Sequence, residues 1–181
     1  MTPSLNFSPE LLLRAQNVKV VFLDVDGVLT DGGLFMNGDG ELIKRFNSLD
    51  GHGLKLLRRA GVEVAVITGR DSPALRTRLA ELGVTQAFYK IENKLEKAEL
   101  VLKALNLNWQ QACAMGDDWP DLPMMQRSAL SCAPANAHTE VRALAHYVTP
   151  MAGGDGAVRQ LCDLLLTASG RYASLLRECL A

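Results

Sequence analysis

Two aspartates one residue apart, Asp24 and Asp26, follow directly on the apolar run Val20-Val21-Phe22-Leu23. Carboxylates this close to a buried run are costly unless they are paired or bind a cation. At a strand end, the alternation of side chains sets both on the same side. Taken alone, the stretch also reads as an acidic turn held by Asx hydrogen bonds. Two further apolar runs, however, end in comparable chemistry. Residues 62–67 lead into Thr68-Gly69-Arg70, a hydroxyl and a flexible backbone suited to holding phosphate oxygens. Residues 112–115 lead into Gly116-Asp117-Asp118-Trp119-Pro120-Asp121. In a parallel sheet the three ends share one edge, and their oxygen-only donor set suits Mg²⁺ rather than zinc. Asp118 also reads as a plain helix N-cap, and Ser72 as another. The coincidence of all three ends favours a phosphate and Mg²⁺ site over three unrelated turns.

The elements that must position these groups are legible from periodicity. Residues 19–23, 62–67 and 112–115 read as short buried strands, with further candidates at 86–89, 130–133 and 146–148. Between them lie helical patterns: one beginning near Asp50 with Gly61 as a C-cap, and one after Ser72-Pro73 that Gly83 ends. Others run over 93–105, 157–166 and 171–180, and a further helix carries Met124 and Met125 after Asp121. The alternation predicts an α/β fold, a Rossmann-like, doubly wound, mostly parallel sheet with helices on both faces. Residues 33–46 depart from it: Asn37-Gly38 and Asp39-Gly40 between apolar runs predict a β-hairpin, placed after the first strand as a flap over the site.

The composition narrows the class. The chain has 181 residues with a formal net charge of −1, so it reads as a single domain over 1–181 without a basic field for nucleic acid. Its longest uninterrupted run of apolar residues is four, far short of the ~20 that span a membrane. The N-terminal sequence lacks the basic start and apolar run of a secretory leader. Cys113, Cys132, Cys162 and Cys179 show no metal-ligand spacing and read as reduced thiols. The expectation is a cytoplasmic protein with neither nucleic-acid nor membrane partners.

The ordered set DxDGxxT, ITGR, a lysine and GDDxxD resembles the haloacid dehalogenase superfamily of phosphotransferases. The match spans residues 24 to 121. More narrowly, DVDGVLTDGG, FNSLDGHGLKLL, GDDWPDLPMM and GGDGAVRQLCDLLL are similar to the 3-deoxy-D-manno-octulosonate 8-phosphate (KDO 8-phosphate) phosphatase family. That family removes phosphate from a sugar acid during lipopolysaccharide inner-core synthesis. The resemblance implies Mg²⁺ as cofactor and a homotetramer, while the short spacing between the motifs leaves no cap domain.

It also implies roles residue by residue. Asp24 would be the nucleophile that forms an aspartyl-phosphate, and Asp26 the general acid and then general base. Asp24 and Asp117 would offer carboxylates to Mg²⁺, and Asp26 its backbone carbonyl. Thr68, the Gly69 amide and Lys94 would hold the phosphate. Lys97 lies on the same helical pattern, and a solvated Lys–Glu face accounts for either lysine; the position of Asn93-Lys94 at the helix start matches the family motif. Substrate contacts would come from Asp26, Asn47, Ser48, Leu49, Asp50, Gly51, Lys55, Gly69, Arg70, Arg78 and Lys94. Arginine suits a sugar-acid carboxylate because its fork binds bidentately, although Arg78 also reads as a surface residue. Leu49 and Asp155 depart from polar or basic residues associated with some members of the family.

Three readings follow as alternatives: an eight-carbon sugar-acid phosphatase, a phosphatase for a nine-carbon sialic-acid-like phosphate or other small phosphomonoester, and a non-catalytic oligomerisation domain. The spacing between motifs leaves no length for a lid. An aspartyl-phosphate benefits from limited water access, so a neighbouring subunit is expected to close the pocket with the 33–46 flap and the Gly153-Gly154-Asp155-Gly156 tail. His52, His138 and His146 are read as structural, His52 in a turn.

Overall fold

The computed structural model describes residues 5–38 and 40–180. Asp39 of the expected hairpin turn, residues 1–4 and residue 181 lie outside them. The strands in chain order are β1 (Val20–Leu23), β2 (Phe35–Asn37), β3 (Gly40–Ile43), β4 (Glu63–Ile67), β5 (Gln86–Phe88), β6 (Ala112–Met115), β7 (Leu130–Ala133) and β8 (Tyr147–Val148). Six of them form one sheet in the order β5-β4-β1-β6-β7-β8, with every neighbouring pair parallel. Leaving out the hairpin, this is the doubly wound order in which ligands bind where the winding reverses. That reversal falls at β1, flanked by β4 and β6.

The apolar run of β1 explains its central place. Val21 and Leu23 enter one buried cluster, and Val20 and Phe22 enter the other. A strand buried on both faces needs such an uninterrupted run. The first face is covered by helices α1 (Pro9–Ala15), α2 (Ser48–Arg59), α3 (Pro73–Leu82), α7 (Ala157–Ala168) and α8 (Tyr172–Glu178). The opposite face is covered by α4 (Lys94–Leu105), α5 (Leu122–Arg127) and α6 (Thr139–Leu144). Ser72 caps α3 by accepting from the Leu75 amide at 3.3 Å, and Gly83 ends it in the left-handed conformation at φ 67°. Both follow the sequence reading. The C-cap of α2 is Ala60 rather than Gly61. His52 lies within α2, not in a turn. Helices α1 and α6 are additions to the sequence reading.

Strands β2 and β3 pair antiparallel as the expected hairpin. Between Asp31 and Asn47, among the described residues, this hairpin is the sole insertion, and no cap domain stands over the strand ends. Its Phe35, Met36 and Ile43, with Leu34 just before it, are all exposed. Among the described residues, no helix is long and apolar enough to cross a membrane.

Candidate active site

Parallel pairing carries the ends of β1, β4 and β6 to one rim. Register sets Leu23 beside Val66 and Met115, and the Asp24 amide continues the ladder to the Met115 carbonyl at 3.2 Å. The chain then turns sharply, with the amides of Val28, Leu29 and Thr30 all directed at the Val25 carbonyl. Gly27 sits in this turn at φ 92°, and a Cβ there would fall 2.0 Å from Asp117 Oδ2. Glycine is therefore what lets Asp117 lie against the turn after β1. The glycine-rich tail closes the other side: a Cβ on Gly153 would fall 1.8 Å from the Gly27 carbonyl oxygen. Asn136 joins the two segments, donating to Gly27 O at 3.2 Å and accepting from the Gly153 amide at 2.7 Å.

A cleft of about 350 Å³ opens on this rim. Asp24, Asp26, Thr68, Gly69, Arg70, Lys94 and Asp117 all line it, together with Asp118 and Asp121. Lys94, the first residue of α4, is buried, and its Nζ lies 2.8 Å from Asp24 Oδ1 and 2.7 Å from Asp121 Oδ1. Lys97 instead lies over the Phe88 ring at 5.1 Å, so the structure separates the two lysines that periodicity left open. Asp121 closes the GDDxxD motif, which by itself gives the residue no role. Its Oδ2 accepts the amides of Asp117 and Asp118 at 3.1 and 3.4 Å, so it anchors both Lys94 and the loop that presents Asp117.

The electrostatics are those of crowded carboxylates around a single buried lysine. Burial and the nearby Asp121 raise Asp24 to about 6, against the pull of Lys94. Burial, Asp24 and Asp121 push Asp117 up to about 8. Burial works against the Lys94 ammonium, but Asp121 and Asp24 outweigh it and hold its pKa above the ordinary range. Carboxylate oxygens of Asp24, Asp117 and Asp121 can all lie within 4.8 Å of one another. Because both Asp121 oxygens are already engaged, Asp24 and Asp117 are the carboxylates best able to take a cation. An oxygen-only pair whose charge one lysine does not offset fits a hard divalent ion.

Asp26 is held by the hairpin. Lys44, just past β3, forms an ion pair with Asp26 Oδ1, and Arg70 Nε lies 3.7 Å from Oδ2. Sequence reasoning passed over Lys44. The adjacent basic pair Lys44-Arg45 carried a faint signal, since consecutive residues leaving a strand face opposite ways. Arg45 indeed turns outward to Asp155 at 2.6 Å and Asp31 at 3.5 Å. Asp155, noted above as a departure from the family, thus ties the tail to the base of the hairpin.

The remaining expected substrate residues do not line this cleft. Asn47 caps α2 by accepting from the Leu49 amide at 2.8 Å. Asp50 is buried and accepts from the Arg159 amide at 2.7 Å. Arg78 donates to the Asn47 carbonyl at 3.3 Å, above a Gly51 whose Cβ would fall 2.3 Å from its Nη2. Ser48, Leu49 and Lys55 are exposed on α2. Within one chain Asn47, Asp50 and Arg78 brace the entry to α2. His138 caps α6 and accepts from Trp119 Nε1 at 3.1 Å, and His146 accepts from the Ser131 amide at 3.0 Å. Cys113, Cys132 and Cys162 are buried, and burial pushes each thiol well above its ordinary range, which keeps them unreactive.

A reversing parallel sheet with acidic groups gathered where its winding changes hand is the architecture of a haloacid dehalogenase-like hydrolase, and the sequence pattern of that family matches residues 90–161. A 3-deoxy-D-manno-octulosonate 8-phosphate phosphatase from Salmonella typhimurium is 42% identical over 164 residues, covering 91% of this chain and 87% of that protein. The crystal structure of the corresponding Yersinia pestis phosphatase superposes with a TM-score of 0.89 at 39% identity, covering 91% of this chain and 89% of that one. A Moraxella catarrhalis phosphatase of the same name, solved with magnesium ion, phosphate ion and KDO, superposes with a TM-score of 0.90 at 32% identity, covering 93% and 97%. The chain belongs to this 3-deoxy-D-manno-octulosonate 8-phosphate phosphatase family and is a phosphoric monoester hydrolase.

Proposed function

We propose that the chain hydrolyses 3-deoxy-D-manno-octulosonate 8-phosphate to 3-deoxy-D-manno-octulosonate and phosphate, with Mg²⁺ as cofactor, in lipopolysaccharide inner-core synthesis. The observation that carries the reading is the seating of Lys94 Nζ 2.8 Å from Asp24 Oδ1. A nucleophilic carboxylate and the cation that offsets the incoming phosphoryl charge stand together at the switch point of the sheet. The similarity to named phosphatases of this sugar acid supports the substrate.

Asp24 attacks phosphorus, the bond from phosphorus to the sugar oxygen breaks, and the phosphoryl group passes to the Asp24 carboxylate. Asp26 gives its proton to the departing sugar oxygen. Water then attacks the phosphorus of the aspartyl-phosphate while Asp26 takes back a proton, releasing phosphate and Asp24. Splitting the displacement in this way divides one high barrier into two lower ones. Thr68, the Gly69 amide and Lys94 hold the phosphoryl oxygens. Asp24, Asp117 and the Asp26 carbonyl would hold Mg²⁺, which supplies charge neutralisation for the phosphoryl group when bound.

The exposed Leu34, Phe35, Met36, Ile43 and Leu49 support the further proposal of a homotetramer whose subunits cover one another's clefts. Exposed apolar groups on and beside the hairpin and at the start of α2 favour burial against a partner. The test of function is phosphate release from a panel of eight-carbon and nine-carbon sugar-acid phosphates, with Mg²⁺ and after chelation. Preference for the eight-carbon substrate with Mg²⁺ is expected. Equal turnover of both lengths would replace the substrate, and full turnover after chelation would remove the metal.

A further inference from the structure

Lys44 is a charged residue whose side chain is 1% exposed. Burying an ammonium is unfavourable unless a partner with good geometry compensates. Its placement therefore says where the hairpin is anchored: on Asp26 Oδ1. The two oxygens of that carboxyl are treated differently. Oδ1 is engaged by Lys44, whereas Oδ2 is buried and accepts no hydrogen bond among the described residues. Arg70 Nε stays 3.7 Å from Oδ2, beyond hydrogen-bond distance. A carboxyl held by one oxygen cannot turn freely about its terminal bond, so Lys44 fixes the rotation of a carboxyl that lines the cleft.

We propose that Lys44 is a positioning residue for the reaction: by engaging Asp26 Oδ1 it fixes the rotation of the carboxyl and so orients Asp26 for proton transfer with the leaving-group oxygen. The placement also couples the seating of the hairpin to the chemistry, because Lys44 leaves β3 directly. This inference rests on the reading of Asp26 as general acid, and the experiment separates the two.

The experiment compares kcat/KM for 3-deoxy-D-manno-octulosonate 8-phosphate, whose alkoxide needs a proton to depart, with that for p-nitrophenyl phosphate, whose phenolate does not. Wild type, Lys44→Met, Lys44→Arg and Asp26→Asn are measured with Mg²⁺, and thermal melts establish folding. Lys44→Met is expected to lose about 100-fold on the sugar phosphate and less than about threefold on the aryl phosphate, the pattern of lost proton transfer. Lys44→Arg should recover part of the loss. If Lys44→Met does not fold, Lys44→Gln is read in the same way. Equal losses on both substrates, or no loss on either, while Asp26→Asn remains selective for the leaving group, would overturn the role of Lys44. Absence of that selectivity in Asp26→Asn would overturn the general-acid reading, and the Lys44 proposal with it.

Discussion

Lys94 and Asp121 meet at 2.7 Å in the floor of the cleft, and the same lysine stands 2.8 Å from Asp24. One buried ammonium therefore serves the residue that anchors the third strand end and the residue proposed to attack phosphorus. This relationship joins stability to function, because removal of the lysine leaves three neighbouring carboxylates without their internal cation.

Lys94→Met is expected to reduce phosphate release to near background. It also strands buried charge, and breaking a buried pair costs about 3–5 kcal/mol. In a chain of this size each kcal/mol is worth about 2–4 °C in Tm. Calorimetry in chelator should show a clear fall in Tm, and full activity in a folded variant would deny the lysine its role.

Asp121 separates anchoring from chemistry. Asp121→Ala removes the acceptor of two amides and of Lys94, leaving buried donors unsatisfied at about 1–3 kcal/mol for the group. Asp121→Asn keeps an acceptor for Lys94 but loses the charge. The alanine variant should be the less stable of the two, and both should need more Mg²⁺ for half-maximal activity because the Asp117 loop is released. Unchanged Mg²⁺ dependence in both would show that Asp121 does not hold that loop.

The acidic crowd gives a signed pH dependence. Folding raises Asp24 to about 6 and Asp117 to about 8, above the ordinary ~3.9 of an unfolded aspartate. The folded chain thus holds more protons than the unfolded chain between these values, and stability falls as pH rises. That contribution is fully present below about pH 4 and lost as pH climbs through 6 towards 8. Without metal, Tm should decline over this window beyond the decline of an Asp117→Asn variant. Mg²⁺ competes with those protons, so its stabilisation should grow from pH 5 to pH 8. A Tm increment from Mg²⁺ that is flat with pH would contradict the arrangement.

The hairpin supplies a test of assembly. Phe35→Asp with Met36→Asp places charges on the exposed strand β2, whose residues are not among those lining the cleft. Light scattering should show a smaller species, and activity per chain should fall as the cleft is uncovered. A tetramer unaltered in size, or a monomer with full activity, would contradict closure by neighbours.

Much of this site was legible because strands bury groups by simple rules. Asp24, Thr68 and Asp117 each follow an apolar run, and a parallel sheet has a single rim to which such ends can go. The hairpin, Ser72 and Gly83 were equally readable, since turn and cap residues act through local backbone geometry. Lys44 and Asp121 were not readable in the same way. Their parts depend on which face of a hairpin exit or a short helical turn meets a distant strand end, information held in tertiary register rather than local pattern. Lys94 and Lys97 share one helix pattern, and only the packing of α4 sends one to Asp24 and the other to Phe88. Asn47, Asp50 and Arg78 illustrate the converse: residue type suggested substrate contacts, whereas within the chain their hydrogen bonds brace α2, α3 and α7.

The central claim is that the Asp24 carboxylate becomes phosphorylated, and rapid acid quench of a single turnover followed by mass spectrometry of the digested protein tests it most directly. The account predicts a transient phosphoryl group on the peptide containing Asp24, absent from Asp24→Asn. Turnover with no trapped phosphopeptide at any quench time, or a phosphoryl group on another residue, would contradict it.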